Sequence, residues 1–273
     1  MAAVLSFEAA AKAYKMAKAK EKLVDANTQL ANAQAEAGSF YNAANSLAAA
    51  AETQVELGNV AAATPLFEEA CQRYREGSSE KMAALVLEKA GKALVKVDQA
   101  AAEGFFDRCL ERFEDGDVLL HSRSAFDFII AHYISNENWP KAFETLERQI
   151  DMGIAIEAQA IACKAALTQV VIYLATDRYM EAAERENELR SGKIETWLQC
   201  SERKYLRSAM MGWELGNQEH FDKAVKDVAL CLTGQMTRIL KKLVVPEEGV
   251  DMDEMMEPEP EGDEDEDDPD GIC

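Results

Sequence analysis

Apolar and polar positions alternate along this chain in a helical rhythm. Val60, Ala63, Phe67, Ala70 and Tyr74 recur at steps of three and four, which puts them on one face of a helix. A bulky apolar residue followed three positions later by alanine then returns as Leu23/Ala26, Val60/Ala63, Val97/Ala100, Trp139/Ala142, Tyr179/Ala182 and Phe221/Ala224. The successive spacings are 37, 37, 42, 40 and 42 residues. One helical hairpin cannot cover its own apolar face, so a unit repeating every forty or so residues predicts hairpins stacked into a curved sheet.

Turn signals divide this pattern into elements. Two helices are expected over 5–37, turning near Lys20-Glu21-Lys22, then helices over 40–57 and from Val60 through Tyr74. Gly58-Asn59 offers a left-handed helix terminus, and Gly77-Ser78-Ser79-Glu80 a break with serine as N-cap for a helix over 81–96. In that helix Met82, Leu85, Ala90 and Leu94 are expected to face inward. The next carries Phe105, Cys109 and Phe113, with Asp98 or Gln99 as alternative first residues to the Val97 register, and ends at Glu114-Asp115-Gly116-Asp117. Further helices are expected over 118–135, 139–150 (with Pro140 near its first turn), 155–175, from Tyr179 to Ser191-Gly192, and over 194–215, 221–232 and 236–245.

The expected fold class is all-α: a TPR-like right-handed helical-hairpin solenoid over 1–190, a C-terminal helical bundle over 191–246 and a disordered acidic tail over 247–273. The period exceeds the ~34 residues of the tetratricopeptide repeat, hence TPR-like. A tail so charged and so poor in apolar residues has little to bury.

Composition narrows the function. The chain has 273 residues and a net charge of −21, but fifteen acidic residues and no Lys or Arg lie between Glu247 and Cys273, leaving −6 on the rest. Such a balance argues against duplex nucleic acid as a partner, since phosphate binding needs clustered cations, while leaving room for a local basic face. The six cysteines are scattered without a CxxC pair, which fits a reduced setting and small core residues rather than a disulfide framework. No signal peptide is expected at the N-terminus. Gln159, Lys164, Thr168 and Gln169 interrupt the apolar run over 155–175, as in a buried bundle helix rather than a membrane span.

Catalysis is not expected. His121, His132 and His220 lie in different repeats without HExxH spacing, and there is no glycine-rich phosphate cradle. No metal ligand set and no cofactor site is expected, and the tail lacks the spacing of an EF-hand. Solenoids of this kind present surfaces to other proteins.

The words Ala83-Ala84-Leu85-Val86-Leu87-Glu88-Lys89-Ala90-Gly91-Lys92, Val97-Asp98, Asp177-Arg178-Tyr179-Met180-Glu181-Ala182-Ala183-Glu184, Leu243-Val244-Val245-Pro246 and the terminal Gly271-Ile272-Cys273 carry a resemblance. Their order and spacing over 7–246 are similar to the soluble NSF attachment protein (SNAP) family, most of all its gamma form. Ala224-Val225-Lys226-Asp227 and Arg238-Ile239-Leu240-Lys241-Lys242 also resemble the alpha form.

The resemblance implies a cytoplasmic adaptor, peripheral to membranes through its partners, that lies along SNARE complexes and recruits and stimulates the AAA ATPase NSF. It implies a basic SNARE-binding face, for which Lys89 and Lys92 are the candidates; a solvated helix flank explains the same two charges. It implies an ATPase-binding or stimulating end, for which the candidates are Glu214, Glu219, Asp222, Asp227 and Leu243, with ordinary surface charge and packing of the last helix as the alternatives. Family members begin with a further helix and an apolar membrane-touching loop. Val4-Leu5-Ser6-Phe7 substitutes poorly for that loop, so membrane contact is expected to be weakened. A TPR-like scaffold or chaperone adaptor unrelated to SNAREs fits the repeat pattern equally.

Overall fold

The computed structural model describes residues 2–115 and 118–246, so the expected acidic tail lies outside the described residues. Among these the chain forms thirteen α-helices and no strand. The helices are α1 Ala2–Met16, α2 Lys20–Glu36, α3 Phe40–Glu56, α4 Val60–Glu76, α5 Glu80–Leu94, α6 Gln99–Asp115, α7 Arg123–Ser135, α8 Trp139–Ala155 and α9 Gln159–Ala175. They continue as α10 Tyr179–Glu188, α11 Ser201–Glu214, α12 Gln218–Val228 and α13 Gly234–Leu240. Two compact units divide within α9, one up to Gln169 and one from Val170.

A single turn, used eight times, sets the repeat. Lys18, Gly38, Gly58, Ser78, Glu137, Glu157, Asp177 and Gly216 all take positive φ, between 54° and 80°. The residue after each donates its N–H five residues back, as Ser39 does to Gln34 (2.8 Å), Asn138 to Tyr133 (2.9 Å) and Asn217 to Gly212 (2.9 Å). This is the Schellman closure, which satisfies carbonyls that the helix end would leave bare. Helices of 17 residues, α2, α3 and α4 among them, joined by three-residue turns give a pitch of twenty residues per helix.

The connection between α5 and α6 departs from this scheme and corrects the expected register. No residue there has positive φ. Instead Val97 and Asp98 both donate to Leu94 at 2.8 Å, and Asp98 accepts from the N–H of Ala101 at 3.0 Å. The helix therefore begins at Gln99, and the small inward residue is Ala102, fully buried. Val97 is 51% exposed and Ala100 is exposed, so that pair is not a packing anchor. In α2 the turn precedes Lys20 instead of including it.

Other boundaries shift for local reasons. Ser79 makes no N-cap bond; its hydroxyl donates to Gly77 O at 3.3 Å. In α5 it is Ala83, Ala84, Val86 and Leu87 that are buried along with Ala90 and Leu94, whereas Met82 and Leu85 are half-buried. Ser122 separates a 3₁₀ turn, Leu119–His121, from α7. Residues 194–215 are not one helix: a π turn, Leu189–Lys193, with Gly192 at φ 112°, is followed by extended backbone at Ile194 and Cys200, and α11 starts only at Ser201. Trp197, Leu189 and Ile194 fill this connection and are buried.

Small residues let these helices approach. Ala43, Ala63, Ala83 and Ala142 are fully buried, and Phe67 packs edge-on against Phe105 at 5.9 Å. On the second helices of the hairpins, ion pairs run from repeat to repeat: Arg108–Glu68 at 2.6 Å, Lys141–Asp107 at 3.4 Å and Arg148–Glu114 at 2.8 Å. Those cations are consumed within the fold.

Candidate partner-binding surfaces

In the first unit, the first helices of the hairpins carry the available positive charge. A groove of about 530 Å³ is lined by four lysines, Lys12, Lys15, Lys18 and Lys20, and two glutamates, Glu52 and Glu56, with Ala11 and Leu23 among its apolar lining. Lys20 is held by Glu56 at 3.1 Å. Lys12, Lys15 and Lys18, together with exposed Lys164 on α9, have no carboxylate within ion-pair reach among the described residues. This groove lies away from the segments that carry the family resemblance; its signal in the sequence is the five lysines between positions 12 and 22.

Lys89 and Lys92, three residues apart on α5, have different surroundings. The Lys89 ammonium reaches across to Glu52 of α3 at 2.9 Å, with half its side chain exposed. Surface pairs of this sort are worth at most about 1 kcal/mol, so an acidic partner displaces Glu52 at little cost. Lys92 pairs instead with Glu88, whose side chain is only 7% exposed, and sits 4.5 Å from the ring centroid of Phe128 on α7. Its charge holds a buried carboxylate, which removal would leave uncompensated.

The second unit brings three of the five expected ATPase-facing residues to one end. Gln218, the first residue of α12, donates from Nε2 to Asp222 Oδ1 at 2.8 Å and to the Leu243 carbonyl at 3.3 Å, while its Oε1 accepts from the Val245 N–H at 2.9 Å. Asp222 and half-buried Leu243 therefore stand beside exposed Glu219. Asp227 is exposed but lies toward the other end of α12. Glu214 is engaged within the unit, accepting from the Tyr179 hydroxyl and lying 3.7 Å from Arg207. Burial, then the bond to Glu214, pushes the Tyr179 phenol well above its usual range, so it remains a donor at neutral pH. Gln218 carried no charge and belonged to no family word, so only geometry reveals it.

Among the described residues no group of three or more His, Cys, Asp or Glu could hold a metal, and no helix is long and apolar enough to cross a membrane. Stacked helical hairpins, with no strand among the described residues, define a helical solenoid. Residues 2–240 match the family model described as soluble NSF attachment protein, SNAP, and the chain belongs to that family. It is 26% identical over 175 residues to the gamma-soluble NSF attachment protein of Dictyostelium discoideum, an alignment covering 64% of this chain and 54% of that protein. The matched part thus spans about half the length of this curated relative.

Proposed function

We propose that this protein is a non-enzymatic adaptor that lies on assembled SNARE complexes and recruits and stimulates the ATPase NSF for their disassembly. Membership of the SNAP family over residues 2–240 carries this reading. In it, residues 1–190 form the SNARE-facing repeat sheet and 191–246 the ATPase-facing bundle. The lysine groove, Lys89 and Lys164 give the first surface the charge that an acidic four-helix bundle attracts. Glu219, Asp222 and Leu243 supply the second, suited to a basic partner with an apolar contact. The protein works in the cytoplasm and meets membranes through these partners.

The test is a pull-down of the whole chain with a SNARE complex and NSF at rising salt, together with NSF turnover. Salt-sensitive capture of both and faster ATP hydrolysis are expected; loss of both effects overturns the adaptor reading, and capture without acceleration retains only a scaffold. Lys89→Glu should weaken SNARE capture about tenfold or less, as for a rim charge, with unchanged circular dichroism. Lys92→Glu is the wrong probe, because it sets a second carboxylate against buried Glu88.

A further inference from the structure

We infer that Gln218 is a positioning residue, a latch that fixes residues 243–245 against α12 so that Leu215 and Val244 form an apolar contact rimmed by Glu219 and Asp222. This rests on the reading that the second unit meets the ATPase, and it names the surface and the chemistry of the partner: an apolar groove edged by Lys or Arg. Beyond Leu240 the backbone has left the helix, and the Gln218 amide commits both its donors and an acceptor to Asp222, Leu243 and Val245. The two bonds to the backbone fall on either side of Val244, on the Leu243 carbonyl and the Val245 N–H. Val245 packs inward at 5% exposure, so Val244 is turned outward at 78%. Leu215, 67% exposed, lies three residues before Gln218 in the turn that enters α12.

Two large side chains left this open at one end of a helix have no role in the core of the unit. A contact centre of apolar residues with a charged rim is the usual anatomy of a protein interface. The rim is acidic, because Asp222 is held in place by the same amide and Glu219 is its exposed neighbour. An acidic rim selects a basic partner surface and repels an acidic one such as a SNARE bundle. The latch therefore serves orientation as well as attachment.

Hydrogen exchange on the whole chain tests the latch without any partner. Gln218→Ala should speed exchange of the Val245 amide about tenfold, the loss of roughly one net hydrogen bond, with helical circular dichroism unchanged. Gln218→Met, which fills similar space but has neither an amide donor nor an amide acceptor, should act in the same direction without leaving a void. Both should lower NSF stimulation. Val244→Asp and Leu215→Asp should lower it too while leaving Val245 exchange at the wild-type rate. Unchanged exchange in both Gln218 variants overturns the latch, and full stimulation by both aspartate variants overturns the apolar contact. A wild-type chain that fails to stimulate NSF overturns the partner named here along with the adaptor reading, whereas the exchange result still judges the latch by itself.

Discussion

Tyr179 shows how one side chain serves both packing and charge. Its ring is 6% exposed and opens α10 one turn before fully buried Ala182, and its hydroxyl donates to Glu214 on α11. Tyr179→Ala removes a buried ring and should cost about 3–5 kcal/mol in denaturant unfolding. Tyr179→Phe keeps the ring and removes the donor, so a loss nearer 1–2 kcal/mol is expected. A near-neutral alanine variant would contradict the packing role. The ring at position 179 and the alanine three residues on were legible in the sequence as an apolar pair. What lies on the far side of the ring was not, since Glu214 is 35 residues away and carries the same charge as the many acidic residues in open solvent. Lys89 and Lys92 differ for the same reason: adjacent in pattern, they are separated by the burial of Glu88, which only packing decides.

At the level of helices, glycine and alanine set how closely neighbours approach, and the chain keeps glycine where alanine would collide. A Cβ on Gly212 of α11 would sit 2.7 Å from the backbone N and 2.9 Å from the Cα of Phe221 in α12. Backbone atoms cannot swing aside as a side-chain tip does, so Gly212→Ala should destabilise the protein by about 1–3 kcal/mol despite alanine's better helix propensity. Gly104 in α6 meets nothing within 4 Å, and Gly104→Ala should stabilise by about 0.5–1 kcal/mol. Thermal unfolding of the two variants measures the contrast, and equal shifts would reject it. Helix positions were readable because apolar steps of three and four survive any turn chemistry, and Gly38, Gly58 and Gly216 marked three turns openly. Lys18, Ser78, Glu137, Glu157 and Asp177 adopt the same left-handed backbone without glycine. The twenty-residue pitch that holds over 18–78 and again over 137–177 was therefore hidden beneath five ordinary polar residues. The α5–α6 turn hid the register further, because Val97 and Ala100 copy the anchor pattern while facing solvent.

Over the whole molecule, charge is divided unevenly, and the division bears on how fast partners are found. The sequence carries −21, of which fifteen negative charges fall after Pro246, while lysines gather around the α1–α3 groove. For the SNARE partner proposed above, this means local attraction to its acidic surface and repulsion by the chain as a whole. Removing residues 247–273 leaves −6 and should raise the association rate with such a bundle severalfold at about 20 mM salt. Screening shortens to roughly 3 Å at 1 M, so the two forms should converge there. In the proposed complex, held by short-range contacts at the groove and Lys89, dissociation should stay the same in both forms, and stopped-flow association across a salt series separates the two rates. Equal association rates at low salt would show that the acidic segment does not act on this encounter through its charge. A slower truncated form would give that segment a direct part in binding, which long-range repulsion does not supply.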